Sequence, residues 1–219
     1  SIDRLEIDMV DFSGQAFTHV DNRIMSLRLV QLGLSGAAMF ASDGTVLQPS
    51  EYLRKKNVLV ERGRFRPVTH VNLDMISSSI QAFEAEENTD NSETITLMEI
   101  TMHNLRSDGE VDLNDFISRA EVLEATGHTV MISDFPEYYR LTAYLSRYTN
   151  KRIGLTMGAH SLAELFEEHY YEALDGGILE SFGRLFKNNV KLYIYPYKEP
   201  KTQKLITTQN LNIPEKQIA

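Results

Sequence analysis

Apolar segments that alternate with amphipathic segments fill the second half of the chain. Segments 94–102, 129–133, 152–157 and 190–195 are apolar almost throughout, and helical patterns of apolar residues lie between them. Strands that are apolar at every position are buried on both faces, which is typical of a parallel sheet with helices on both sides. We therefore expect an α/β fold, a Rossmann-like three-layer sandwich with a mostly parallel sheet.

Helices are predicted wherever apolar residues recur at helical spacing. They cover residues 15–33, 69–86, 113–126, 136–148, 161–174 and 178–187. Ser161 is the expected N-cap of the fifth helix, because its hydroxyl can accept from a free amide of the first turn. Two short apolar strands are expected earlier in the chain, at 37–40 and 57–60.

Three regions follow from this pattern. Residues 1–50 carry a helix and appended strands, residues 51–196 carry the Rossmann-like core, and residues 197–219 are predicted to form an extended tail with several lysines and few apolar side chains. The chain begins at Ser1 and enters in the middle of a pattern. A fragment of a longer protein is therefore one interpretation.

Composition limits the classes of function. The 219 residues include no cysteine and carry a net charge of −9. Cysteine-based metal sites, disulfides and thiol nucleophiles are excluded, and an acidic chain is unsuited to nucleic acid, which requires basic surface. The sequence contains no apolar run of the roughly 20 residues that cross a membrane. We expect a cytoplasmic protein without a membrane partner, and homo-oligomerisation stays open.

The segment 57–74 has the features of an anion site. It is predicted to contain a strand, a turn and the start of a helix, which is where α/β proteins bind phosphate through backbone amides. Gly63 permits close backbone approach, and Pro67 shapes the entry to the helix. The arginines of this turn, which suit phosphate oxygens, are Arg62, Arg64 and Arg66. His70, near the helix start, is placed to donate to a phosphate.

The same turn resembles the first signature of the nucleotidyltransferase superfamily that includes nicotinate-nucleotide adenylyltransferases. That signature is Gly-x-Phe-x-Pro-x-His/Thr-x-x-His after the first strand. Gly63, Phe65, Pro67 and Thr69 match it, and Asn72 stands where the family has its last histidine. The chain as a whole also resembles a bacterial family that is often labelled nicotinate-nucleotide adenylyltransferase because of this turn.

Two later segments add to the resemblance. Residues 158–165, Gly-Ala-His-Ser-Leu-Ala-Glu-Leu, are similar to the family segment Gly-Ala-Asp-x-Leu-x-x-Leu at a strand-to-helix junction. Gly158 matches the family glycine, and His160 replaces its aspartate. Ser181 and Arg184 weakly resemble the family's Ser-x-x-Arg phosphate clamp.

The resemblance implies a nucleotide-binding protein that transfers an adenylyl group from ATP to a substrate like nicotinate mononucleotide, a step of NAD biosynthesis. It implies Mg²⁺ carried with ATP, a small-molecule nucleotide as partner, and no metal held by the protein itself. His70 is the expected catalytic residue. The expected nucleotide and phosphate ligands are Gly63, Arg64, Phe65, Arg66, Pro67, Thr69, Asn72, Gly158, His160, Ser181 and Arg184.

The alternative is a catalytically inactive α/β interaction module, part of a larger protein. Residues 40–46 resemble the first motif of haloacid-dehalogenase-like phosphatases through Asp43, Gly44 and Thr45. Ala41 replaces the aspartate nucleophile, and alanine cannot form the aspartyl-phosphate intermediate. A plain Asp-Gly turn between two strands is the simpler interpretation of this segment.

Overall fold

Seven strands form one sheet within residues 7–86, 92–106 and 109–211, the part of the chain that this computed structural model describes. The strands are β1 (Ala37–Phe40), β2 (Val46–Leu47), β3 (Asn57–Arg62), β4 (Thr94–Thr101), β5 (Thr129–Ser133), β6 (Ile153–Gly158) and β7 (Val190–Tyr195). Their order across the sheet is β2-β1-β5-β4-β3-β6-β7. Strand β1 runs antiparallel to β2 and β5, and all other neighbours are parallel.

The five parallel strands are wound in two directions from the middle of the sheet. Among these five strands, β3 comes first in the chain, β4 and β5 follow on one side of it, and β6 and β7 follow on its other side. The direction of winding reverses between β3 and β6, and open α/β sheets bind ligands at the carboxyl ends of the strands at such a point. The predicted Rossmann-like α/β fold with a mostly parallel sheet is confirmed.

Helices cover both faces of the sheet. They are α1 (Asn22–Gln31), α2 (Pro49–Tyr52), α3 (His70–Glu84), α4 (Met102–Leu105), α5 (Leu113–Glu124), α6 (Tyr138–Leu145), α7 (Ala159–Glu164) and α8 (Gly177–Leu185). Buried side chains of α1, α3 and α5 share one hydrophobic cluster with the sheet, and those of α6, α7 and α8 share a second cluster. No helix in the described part of the chain is long and apolar enough to cross a membrane.

Strand β3 shows why these segments are buried strands. Val58, Leu59 and Val60 are all essentially inaccessible to solvent. Leu59 packs in the cluster beneath α1, α3 and α5, whereas Val58 and Val60 pack in the opposite cluster. Because alternate side chains of a strand point to opposite faces, a strand in the middle layer must be apolar at every position.

The first predicted helix begins later than expected. A 3-10 turn spans Gln15–Phe17, and α1 starts only at Asn22. The side chain of Asp21 accepts a hydrogen bond from the amide of Arg23 at 2.9 Å and so caps the helix. The helix predicted over 15–33 was therefore wrong at its start. Apolar residues recur at helical spacing on both sides of Asp21, so the spacing alone does not show that the helix begins only after this cap.

The helix predicted over 161–174 is also wrong. Helix α7 begins at Ala159, with Gly158 as its N-cap rather than Ser161, and ends at Glu164. A 3-10 helix at Glu168–Tyr171 follows. The hydroxyl of Tyr171 donates to the carbonyl of Leu165 at 2.8 Å. This contact folds the chain back on itself where a continuous helix was expected.

The segments outside the parallel core form further pairings. Strands β1 and β2, from the region predicted as appended, lengthen the central sheet beyond β5. In place of a fully extended tail, β8 (Tyr197–Lys198) and β9 (Leu205–Ile206) form a small antiparallel pair. The rest of the tail prediction, residues 212–219, lies outside the described residues.

Substitution of Gly154 tests how closely β6 packs against the side chains of β3 and β7. A Cβ atom there would lie 2.5 Å from Cδ1 of Leu59 and 2.9 Å from the ring of Tyr193. We expect Gly154→Ala to lower the free energy of unfolding by about 1–3 kcal/mol through overpacking. Urea denaturation measures this, with Gly183→Ala as the control.

Gly183 lies in α8, and no atom lies within 4 Å of a Cβ built there. The control should be neutral or stabilising by up to about 1 kcal/mol, because alanine favours helix. Equal stability of the two variants would contradict the close packing at Gly154.

Candidate functional site

The turn after β3 and the start of α7 lie side by side. Glu61 of β3 and Thr156 of β6 are paired in parallel register. Gly63 and Gly158 each follow two residues later, so both lie at the carboxyl ends of adjacent strands. This is the point where the winding of the sheet reverses. The two segments singled out in the sequence are therefore neighbours in space.

Gly63 has a structural role in the turn. A Cβ atom on Gly63 would lie 2.7 Å from the ring of Phe65. Phe65 is only 4% exposed, packs in the hydrophobic cluster under α3, and has a positive φ of 45°. The absence of a side chain at Gly63 thus makes room for the Phe65 ring, and Phe65 is a core residue rather than an exposed ligand. Pro67 follows a cis peptide bond in the same turn.

Thr69 and Asn72 form the cap of α3. The side chain of Thr69 accepts from the amide of Asn72, and Oδ1 of Asn72 accepts from the amide of Thr69 at 3.0 Å. This is a capping box, which satisfies free amides at a helix start. Both side chains, predicted as phosphate ligands, are engaged within the protein. Nδ2 of Asn72 donates to Oε1 of Glu61 at 2.9 Å, so the cap is tied to β3.

Glu61 is a buried carboxyl group at the point where the sheet reverses. Its side chain is inaccessible to solvent, and its Oε2 has no hydrogen-bond partner among the described residues. Burial raises the pKa of Glu61 from its usual 4.5 to about 7, because a charged carboxylate loses its hydration. Thr156, its partner across the strands, also has a buried hydroxyl without a partner in the described chain.

The guanidinium of Arg62, predicted to take part in a phosphate site, is engaged within the protein. Its Nε and Nη2 donate to the carboxylate of Glu99 at 2.8 and 3.0 Å. The same guanidinium donates to the carbonyls of Phe135 and Pro136 at 2.7 and 2.6 Å. It also lies 4.3 Å from the ring centroid of Tyr138. Arg62 therefore joins β3, β4 and the loop before α6.

The other two arginines of the turn differ from each other. Nε of Arg66 lies 3.2 Å from Oδ1 of Asp115 in α5, so Arg66 takes part in an ion pair. Arg64 is exposed, and its guanidinium contacts no carboxylate within the described residues. Its backbone carbonyl accepts from the buried Arg119 at 3.0 Å, which holds the turn in place. Arg64 is the cation of this turn that remains available to an anion.

The two histidines of the predicted site are exposed. His70 is the first residue of α3, and His160 is the second residue of α7. Nε2 of His160 lies 3.6 Å from Oε1 of Glu164. No atom lies within 4 Å of a Cβ built on Gly158, and no side chain caps the start of α7. The start of α7, after β6, therefore has open space beside Gly158 and backbone amides that no side chain caps.

Ser181 and Arg184 lie elsewhere. Both belong to α8, which packs against α6 and the 3-10 helix before it. Ser181 is buried, and Arg184 pairs with Glu180 and lies 5.7 Å from the ring centroid of Tyr139. Arg184 lines a cleft with residues of α6, and no residue of the 63–72 turn lines that cleft. The structure thus separates the predicted phosphate clamp from the turn.

Asp43 lies in a hairpin turn. Its carboxylate accepts from the amide of Thr45 at 2.9 Å between β1 and β2. Strand β1 is antiparallel to both of its neighbours. Residues 40–46 form a plain Asp-Gly turn.

Glu61, Glu99 and Thr156 were missed by sequence reasoning. The available signal was a glutamate inside an otherwise apolar strand, in Val-Leu-Val-Glu and in Leu-Met-Glu-Ile. A charged residue in a strand that is buried on both faces must be paired or neutralised, so it marks a special position. Thr156 carries no such signal, because threonine is common in strands.

The exposed groups of the edge suit an anion better than a metal. In the described ranges no three His, Asp or Glu side chains are grouped to hold a metal ion. Arg64, His70 and His160 are donors, and the two buried glutamates are engaged by Asn72 and by Arg62.

Burial of Glu61 predicts a pH dependence of stability. With a pKa near 7 in the fold and its usual 4.5 when unfolded, the native state retains a proton that the unfolded chain releases. The free energy of unfolding therefore falls as the pH rises from about 4.5 to 7, by up to about 3 kcal/mol from this group. Glu61→Gln keeps the oxygen that accepts from Asn72. It should remove the part of the pH dependence of the free energy of unfolding that comes from this carboxyl group.

Urea unfolding between pH 5 and 8 measures the effect. Glu61→Gln should be close to wild type at pH 5 and more stable than wild type at pH 8. The exposed Glu51→Gln is the matched control and should follow wild type throughout. A Glu61→Gln profile parallel to wild type would contradict a neutral carboxyl group at this position.

The Arg62–Glu99 pair predicts strong coupling between two buried positions. Glu99→Leu leaves Arg62 buried without its partner and should cost about 3–5 kcal/mol. The double variant Arg62→Met, Glu99→Leu should recover most of this loss in urea unfolding. Additive losses would show that the two side chains act independently. The exposed pair of Lys56 and Glu93 is the control, and Glu93→Gln should cost under about 1 kcal/mol.

Comparisons with known proteins give no information about this site. No protein-family model matches the chain, and neither a curated protein nor a solved structure matches it. The strand order, the neighbouring glycine turns and the exposed donors are therefore the basis for any functional interpretation.

Proposed function

We propose that the chain binds a nucleotide at the carboxyl edge of the sheet, between the 63–72 turn and the start of α7. The observation that carries the proposal is the register of β3 and β6, which brings Gly63 and Gly158 to neighbouring positions where the winding reverses. Doubly wound sheets bind nucleotides in the crevice at this place. The proposal depends on topology more than on any single side chain.

The charges at this edge are consistent with a phosphate ligand. Arg64, His70 and His160 are exposed cations or hydrogen-bond donors on a chain whose net charge is −9. Local positive charge can attract an anion even when the whole protein is acidic. Open space above Gly158 lets a ligand approach the backbone closely.

Adenylyl transfer is the reaction that the family resemblance favours. The phosphate oxygen of the acceptor nucleotide would attack the α-phosphorus of ATP, and pyrophosphate would leave with the electrons of the broken bond. Such a transfer requires no covalent protein intermediate, only positioning and stabilisation of charge. In this chain Arg64 and His70 would contact the transferring phosphates, and Mg²⁺ would neutralise the leaving group.

An inactive interaction module is the second candidate. It is favoured by the engagement of three predicted ligands within the fold: Phe65 packs in the core, while Thr69 and Asn72 cap α3. Asn72 stands where the resembled family has its catalytic histidine. A chain that retains the crevice and lacks this group would bind a nucleotide without turning it over, or bind another protein.

Calorimetric titration with ATP and Mg²⁺, and separately with nicotinate mononucleotide, tests the proposal. We expect saturable binding of ATP, and Arg64→Ala should weaken it about tenfold, equivalent to about 1.4 kcal/mol. Arg54→Ala is the matched control, because Arg54 is exposed and precedes β3, at the opposite edge of the sheet. Binding that Arg64→Ala and Arg54→Ala reduce equally would contradict this location.

The same samples separate the two candidates. Incubation with both nucleotides should release pyrophosphate if adenylyl transfer takes place, and His70→Ala should then lower the rate without abolishing ATP binding. ATP binding without release of pyrophosphate supports a nucleotide-binding module without transfer activity. Absence of heat with either nucleotide would overturn the proposal of a nucleotide site altogether.

A further inference from the structure

Strand β7 forms one open edge of the sheet. The other edge is β2, which spans only two residues, whereas β7 spans the six residues Val190–Tyr195. Among the described residues, β6 is the strand to which β7 is hydrogen-bonded, and no further backbone hydrogen bond reaches β7. An edge of this kind presents backbone N–H and C=O groups that can bind another strand.

The outward groups belong to alternate residues of β7. The amide of Ile153 in β6 donates to the carbonyl of Asn189 at 3.2 Å, and Ile153 is paired with Val190. In a parallel ladder this pairing directs the N–H and C=O groups of the odd-numbered residues of β7 toward β6. The even-numbered residues, whose groups point away from the sheet, are Val190, Leu192 and Ile194.

Strand β7 lacks the features that usually protect a sheet edge. Such features are a proline, a bulge, a very short strand or an outward charge. Strand β7 contains no proline, and its six residues pair with β6 in unbroken register. Its one charged side chain, Lys191, donates to Oε1 of Glu86 at 2.6 Å on the α3 side of the sheet. The edge is therefore open to a further strand.

The two faces of β7 differ in polarity. Val190, Leu192 and Ile194 are half-buried and pack against the cluster of α6, α7 and α8. On the α3 face, Tyr193 is buried, and its hydroxyl donates to Oε1 of Glu86 at 2.9 Å. A strand that pairs with β7 must therefore offer aliphatic side chains on one face and polar or aromatic groups on the other.

A second copy of β7 meets this requirement in an antiparallel register. When Leu192 lies opposite Leu192 of the second copy, Val190 lies opposite Ile194, so the aliphatic side chains meet on one face. The outward residues then pair with one another, and each outward N–H and C=O gains a partner. A shift by one residue would bring outward groups opposite inward ones and exchange the two faces.

The same register is complementary in charge. It places Lys191 opposite Tyr193 of the second copy, whose hydroxyl is bonded to Glu86 of that copy. Opposite side chains lie about 5 Å apart at Cβ, so the ammonium group of Lys191 approaches the carboxylate of Glu86 across the interface. A two-fold axis repeats this contact, which offsets part of the repulsion between two chains of net charge −9.

We propose that the chain forms a homodimer in which β7 pairs antiparallel with β7 of a second copy, across a two-fold axis at Leu192. The interface is isologous, since the same strand is used by both copies. It joins the two seven-stranded sheets into one continuous sheet. The proposal does not depend on the proposed nucleotide site, which lies between β3 and β6 rather than at this edge.

Substitution of Leu192 tests the two-fold axis, because this residue lies opposite itself in the proposed register. Leu192→Lys and Leu192→Glu each place like charges opposite each other. Sedimentation velocity should show that each variant raises the dissociation constant of the dimer at least about tenfold. An equal mixture of the two variants should form a dimer again, because lysine then lies opposite glutamate.

Ile194→Pro is a second test that does not depend on the folding of the Leu192 variants. Proline removes one outward N–H and leaves the bonds to β6 intact, which an edge strand tolerates. This variant should also raise the dissociation constant at least about tenfold, while thermal unfolding stays cooperative. The matched controls are Leu179→Lys and Leu179→Glu, because Leu179 is 80% exposed on α8. They should leave the dissociation constant within about twofold of wild type.

Three results would overturn the proposal. A wild-type chain that sediments as a monomer at every concentration would leave the edge to another protein or to residues outside the described ranges. A dimer that the Leu192 and Ile194 variants do not weaken, or that the Leu179 variants weaken equally, would be held by another surface or by charge in general. A mixture of Leu192→Lys and Leu192→Glu that stays monomeric would contradict the two-fold axis at this residue.

Discussion

The buried ion pair between Arg62 and Glu99 organises the carboxyl edge of the sheet. It joins β3 to β4, and Ser133 of β5 donates to the same carboxylate at 2.5 Å. The remaining donors of Arg62 hold the carbonyls of Phe135 and Pro136, the residues that lead into α6. Since a charge this deep is costly unless every group is paired, the network fixes three strands and the path into a helix at once.

The network also determines which groups remain for a ligand. With Arg62 turned toward Glu99, the turn after β3 presents Arg64 to solvent, while Phe65 fills the space above Gly63. On the other face of β3, Glu61 is buried under the cap of α3 and retains its proton to higher pH than an exposed glutamate. The edge therefore combines a buried carboxyl group of raised pKa below the surface with exposed donors above it.

The proposed nucleotide site and the cleft between α6 and α8 depend on different parts of the fold. The proposed nucleotide site lies where the winding reverses between β3 and β6, a place where open α/β sheets bind ligands. The cleft lies between α6 and α8, which pack against each other. The loop held by Arg62 leads directly into α6, which links the position of the cleft to the same buried pair.

Much of the fold could be predicted because burial on both faces leaves a strong pattern. The apolar runs at 129–133 and 190–195 became β5 and β7 with the predicted bounds. Helix starts were less predictable, since Asp21 and Gly158 set them through local hydrogen bonding and backbone geometry that apolar spacing does not reveal. The turn at 63–72 was found from its residues, whereas the engagement of Thr69 and Asn72 depends on contacts made only in the folded chain.

The sequence by itself determined the layers, the parallel strands and the place of the glycine turns, because these follow from periodicity and from residue types that act locally. Only the tertiary structure decided which arginines are free. Arg62, Arg64 and Arg66 are equivalent in the sequence, yet one is buried against Glu99, one is exposed and one pairs with Asp115. Charge pairing across strands and helices is a long-range property, so it appears only when distant segments come together.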